Sequence, residues 1–190
     1  MMMSCHRSDP APTPSVTPPY VPLKQILWDG ELKPLGVGWV SPEGDSMSIS
    51  IEDTVSRSSK NAVSIHMAKR HVFLEAGWQW SSWVSTIETN LKSYQYLHFS
   101  IRIDGPLRPD DLSLSLVSPG DHHTTKRLNL SAYATTFLDG EWHDVSIPLN
   151  DFYTQDMKFD PARAVQIIVG LWNENNDFVI YLDDLFIDGA

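Results

Sequence analysis

The sequence holds a single cysteine, Cys5, among 190 residues. One thiol excludes an intrachain disulfide and any zinc site built on a cysteine pair. Positive charge is also scarce. There are 14 lysines and arginines against 24 aspartates and glutamates, a formal net charge of -10. That field repels phosphate backbones and anionic lipid surfaces, so no nucleic-acid partner is expected. No apolar run approaches the roughly 20 residues that cross a bilayer as a helix, so no membrane span is expected. The opening Met1-Met2-Met3-Ser4-Cys5 lacks the apolar stretch of a secretory signal. The Gly-x-Ser-x-Gly elbow, the P-loop and the dinucleotide fingerprint are missing as well. No window sustains a 3.6-residue period long enough for a major helix, and no internal repeat occurs.

Hydrophobic residues make up 42% of the chain and are spread along most of it, enough for a real core. Ser8 to Pro22 reads SDPAPTPSVTPPYVP. Proline at this density supports neither helix nor central strand, so residues 1–23 are expected to be a disordered, extended tether. From residue 24 to residue 190 the pattern is strand-like. In YLHFSIRI (96–103), Leu97, Phe99, Ile101 and Ile103 share one face, and Tyr96, His98, Ser100 and Arg102 share the other. SMSISIE (46–52), AVSIHM (62–67) and DLSLSLV (111–117) alternate in the same way. RAVQIIVGLW (163–172) and DFVIYLDDLFI (177–187) are apolar enough for central strands. Asp104-Gly105-Pro106, Ser118-Pro119-Gly120-Asp121 and Asp139-Gly140 supply turn chemistry between runs. About ten such strands predict an all-β fold, a jelly-roll β-sandwich of two antiparallel sheets.

Four segments resemble a known family. They are ILWDGELKPLGVGW (26–39), AGWQWSSW (76–83), EWHDVSIPLNDF (141–152) and IYLDDLFI (180–187). In this order they are similar to the galactose-binding-like jelly rolls that serve as carbohydrate-binding modules of bacterial glycanases. The resemblance implies a non-catalytic domain that binds a polysaccharide, such as a β-glucan, in a groove on a concave sheet face. It also implies secretion or surface display, a monomer, and a separate catalytic domain as partner. It further implies a structural calcium between the first and last strands, with Asp29, Glu31 and Asp184 as the matching ligands. Cys5 ahead of the proline-rich stretch resembles the lipidated start of a bacterial lipoprotein.

Several residues fit the chemistry of sugar recognition. An indole face stacks on the C–H face of a pyranose, and three of the seven tryptophans, Trp78, Trp80 and Trp83, lie together. Trp78 and Trp80 also share a face with Leu74 and Ala76, which points to core packing for at least one of them. Glu75, His98, Arg102 and Gln166 can hydrogen-bond ring hydroxyls, and Trp172 shares a face with Gln166. Together with Ser113 and Ser115 they are expected to line one groove. Two rival classes remain open. A structural or protein-binding sandwich has the same fold and tether, and a jelly-roll lyase or glycosidase uses the same residue types. No pair of carboxylates is singled out for glycoside hydrolysis.

Overall fold

The alternating runs become strands because each buries one row of side chains and leaves the other to solvent. A computed structural model describes residues 24–28, 39–41, 47–58, 60–68, 71–79, 88–120, 123–134, 139–155, 157–174 and 176–189. Among them the strands are β1 (Lys24–Trp28), β2 (Trp39–Ser41), β3 (Met47–Glu52), β4 (Ala62–Met67), β5 (His71–Gln79), β6 (Tyr96–Asp104), β7 (Leu112–Val117), β8 (Leu128–Asn129), β9 (His143–Pro148), β10 (Gln166–Glu174) and β11 (Phe178–Asp188). The described helices are 3-10 turns of three or four residues.

Every strand pair is antiparallel. One sheet runs β3-β4-β11-β6-β9, with β1 also on β11, and the other runs β2-β5-β10-β7-β8. Val63, Ile65, Leu97, Phe99, Ile101 and Ile180 from the first sheet join Leu74, Trp78, Leu114, Leu116, Val169 and Leu171 from the second in one buried cluster. The two sheets therefore face each other across a shared core, as the all-β jelly-roll expectation required. The tether expected over residues 1–23, with Cys5, lies outside the described residues.

A bulge re-phases β11. Its register with β6 shifts between Asp183 and Phe186, and Asp184 takes φ 52. Without the shift the core rhythm of Ile180 and Leu182 would carry Asp184 inward. The inserted residue brings Leu185 and Ile187 to the core instead. The fully buried Asp183 carboxylate accepts the Asp184 N–H at 2.8 Å and the Arg57 N–H at 3.0 Å, which holds the turn.

After β9 the chain turns through Leu149–Phe152, and Tyr153 stacks on Phe159 with ring centroids 6.0 Å apart. The Tyr153 hydroxyl is buried with no hydrogen-bond partner among the described residues. Burial pushes its phenol up to about 12. Burial, and then the hydrogen bond to Asp151 Oδ2 at 2.9 Å, also push Tyr133 up to about 12. A folded-state pKa above the ordinary 10.0 contributes stability below pH 10, and that contribution is lost as pH rises toward 12. Urea unfolding should therefore show stability falling across that window. Tyr153→Phe removes the unpartnered hydroxyl, so it should be neutral or stabilising at pH 7 and should flatten the alkaline fall. A Tyr153→Phe protein clearly less stable at pH 7 would contradict this reading.

Candidate functional site

The outer face of the β2-β5-β10-β7-β8 sheet follows from register. Residues that alternate with core Leu74, Ala76 and Trp78 on β5, and with Ile167, Val169 and Leu171 on β10, point away from the core. Cross-strand pairing orders them into rows. Phe73 faces Trp172. The next row crosses all five strands: Ser41, Glu75, Gly170, Ser113 and Asn129. Beyond it, Trp39 pairs Gly77, which pairs Ile168, which pairs Ser115. The last row holds Gln79, Gln166 and Val117.

This face sets an exposed aromatic beside a row of small and polar side chains. Trp172 is 42% exposed, one of few large apolar side chains so placed. The row beside it has a glycine at its centre. A Cβ at Gly170 would meet Ser113 Oγ at 2.7 Å and Phe73 Cζ at 3.3 Å, so Ser113 and Phe73 lean into the space above the glycine. Ser113 Oγ also donates to the Gly170 carbonyl at 3.3 Å. Gly170→Ala should force the Ser113 hydroxyl aside and raise the floor, costing about 1–3 kcal/mol as overpacking does. Ser113→Ala in the same chain should recover part of that loss in a thermal melt. No recovery would mean that the glycine serves another purpose.

Among the described residues, this face carries an arginine–glutamate pair. Arg127, just before β8, contacts the Glu75 carboxylate on β5, and its guanidinium lies 4.7 Å from the centre of the Phe73 ring. Nothing in the sequence pairs residues so far apart, and the expected site set did not include Arg127 or Phe73.

The expected residues do not form one groove. Glu75 and Trp172 lie on this face. Gln166 does too, but it is only 3% exposed, at the buried end of the face, which corrects its assignment as a hydroxyl donor to ligand. Trp78 is 1% exposed and packs edge-on against Trp28, with centroids 6.2 Å apart. Its expected stacking role is corrected: β5 alternation puts it in the core with Leu74 and Ala76. His98 and Arg102 are on β6, in the opposite sheet, so they cannot share a groove with Glu75 and Trp172. The expectation that Ser113 and Ser115 extend the His98 face is corrected for the same reason. Trp80, Trp83, Asp29 and Glu31 lie outside the described residues.

On that opposite face Arg102 is bidentate to Asp104, with both contacts at 2.9 Å, and this bond first of all raises its pKa. A cavity of about 570 Å³ lies nearby, lined among others by Trp28, Arg57, His98, Asp144 and Phe186. Its size suits a ligand. Its aromatic surface is already used, because His98 stacks on Phe186 at 4.6 Å and Lys24 Nζ sits 3.7 Å from the same ring centre. Arg57 spans it, donating to Ser100 Oγ at 2.6 Å and to Asp144 Oδ2 at 2.6 Å.

Asp184, at the bulge, is the one expected calcium ligand within the described residues. Its carboxylate accepts the Ser58 hydroxyl. Among the described residues no group of three carboxylate, histidine or cysteine side chains converges, and Arg57 brings the local positive charge.

Known proteins place this architecture. The family model described as Carbohydrate binding domain 30 matches residues 33–189. The family 30 carbohydrate-binding module of a cellulosomal cellulase of Clostridium thermocellum superposes with a TM-score of 0.64 at 16% identity, over 81% of this chain and 92% of that one. A β-1,2-glucanase structure from Parabacteroides distasonis gives 0.66 at 19% identity, over 90% of this chain and 26% of that one. An exo β-1,2-glucooligosaccharide sophorohydrolase of the same organism is 32% identical over 92 residues, 47% of this chain and 13% of that protein's length.

Proposed function

This chain belongs to the carbohydrate binding domain 30 family, and from that premise we propose that it holds a β-glucan chain across the five-stranded sheet. The family membership makes it a non-catalytic carbohydrate-binding module. The observation that carries the finer reading is the exposed Trp172 beside the small and polar row of Glu75, Gly170 and Ser113. A glucan laid along that row would stack one ring on the indole and set its hydroxyls against Ser113, Glu75 and Arg127. Register supports an extended ligand, because the row crosses five strands spaced about 4.8 Å apart.

The parent role is proposed from the same premise. The chain spans a small part of the length of the two β-1,2-glucan-acting proteins it resembles, so a module that tethers a glucan-degrading catalytic domain to its polymer suits it. Modules of this kind are typically extracellular, and this one would act there. No helix among the described residues is long and apolar enough to cross a membrane.

Native gels cast with soluble polysaccharide test the reading. Migration should be retarded by linear β-1,2-glucan or by mixed-linkage β-1,3-1,4-glucan, and not by starch. The retardation should change little with salt, since stacking and neutral hydrogen bonds carry it. Equal mobility in every gel would sink the β-glucan reading.

A further inference from the structure

Arg127 and Glu75 meet across the face rather than along it. Arg127 enters from the β8 edge and Glu75 stands on β5, with β7 and β10 between them in the sheet. The contact is possible because the intervening positions of the row are Ser113 and Gly170, both small. Phe73 fixes the guanidinium from a third side, at 4.7 Å. The pair therefore lies on the outer face of the sheet, with side chains 50% and 23% exposed, where a glycan laid across that face meets it.

We propose that the Arg127–Glu75 bridge is the specificity element of this groove, restricting it to uncharged glycans. This rests on the glycan-binding reading above. The physical reason is charge balance. A guanidinium is a strong, planar partner for carboxylates and would recruit a uronic-acid glycan by bidentate hydrogen bonding. Here Glu75 already takes that role, so the pair carries no net charge. A neutral sugar can still use the pair, donating to the carboxylate and accepting from the guanidinium. A uronate would have to displace Glu75 and leave it uncompensated in a chain of net charge -10. Phe73 has a ring face covered by Arg127, so a sugar set beside the exposed Trp172 lies against the guanidinium.

The test uses the full chain with two probes, linear β-1,2-glucan as the neutral polymer and polygalacturonate as the anionic one. Affinity electrophoresis and calorimetry at low and high sodium chloride compare the wild type with Glu75→Gln and with Glu75→Gln/Arg127→Gln. Circular dichroism confirms that each is folded. The wild type should be retarded by the glucan alone. Glu75→Gln should gain polygalacturonate binding, with the anionic-to-neutral affinity ratio rising at least tenfold and the gain falling with salt. The double variant should lose that gain, which assigns it to Arg127. A folded Glu75→Gln protein with an unchanged ratio overturns the proposal while leaving glucan binding in place, as does wild-type binding to both polymers alike. A wild type that binds neither of these polymers nor mixed-linkage β-1,3-1,4-glucan removes the β-glucan reading of this face, and this proposal with it.

Discussion

Trp172→Ala should abolish measurable retention on β-glucan while leaving the protein folded. The indole is 42% exposed on the outer face, opposite Phe73 and next to the Gly170 row. Aromatic anchors at the centre of a contact surface commonly cost about 2 kcal/mol or more when truncated, which is roughly 30-fold in affinity. Sugar affinity that depends on this exposed indole should show at least that. Stability should change by under about 1 kcal/mol, because much of the side chain is already in water. Trp172→Phe keeps a smaller ring face and should retain part of the binding. Undiminished binding by Trp172→Ala would move the ligand off this face.

Trp78→Ala should give the largest loss of stability of any single tryptophan change in the described core. The side chain is 1% exposed and meets Trp28 edge-on at 78°. Replacing a buried aromatic of this size by alanine costs about 3–5 kcal/mol, because transfer and cavity terms add. Whole domains are stable by only about 5–15 kcal/mol, so the variant should unfold at far lower denaturant and can fail to accumulate. Trp78→Phe separates the two roles. The indole N–H has no partner among the described residues, so losing it leaves no orphaned acceptor. That variant should be moderately destabilised and should bind glucan like the wild type at a temperature where it is folded. Lost binding in folded Trp78→Phe would restore a ligand role to this residue.

The strands were legible because burial of one face imposes period two. YLHFSIRI and DLSLSLV show it without interruption, and they are β6 and β7. The same alternation with Leu74 and Ala76 pointed to core packing for Trp78 or Trp80 without choosing between them, and Trp78 is in the core. Sheet membership was not. Period two says that a strand has two faces, but partner choice in a jelly roll is set by crossovers between distant segments. His98 on β6 and Ser113 on β7 therefore looked like neighbours and sit on opposite sides of the sandwich. Asp183 carries no periodic signal of its role, which is to accept the Asp184 and Arg57 N–H groups at the bulge. Arg127 lies in KRLNL, outside any periodic run, and its partner is 52 residues away. Only the folded sheet brings that pair together. Glu75 and Trp172 each stand out on their own strand, one a lone carboxylate among apolar neighbours and the other a large aromatic in a mostly core strand, and register puts both on the same sheet face.

The central claim is that glycan meets the Trp172 face and not the cavity beside Arg57. Assigned indole N–H resonances in a two-dimensional NMR titration with β-glucan oligosaccharide test it directly. Trp172 Nε1 should shift progressively and saturably, while the buried Trp28 and Trp78 signals stay in place. A stationary Trp172 signal with a saturable shift at Trp28, which lines the cavity on the other sheet, would contradict the account and relocate the binding site.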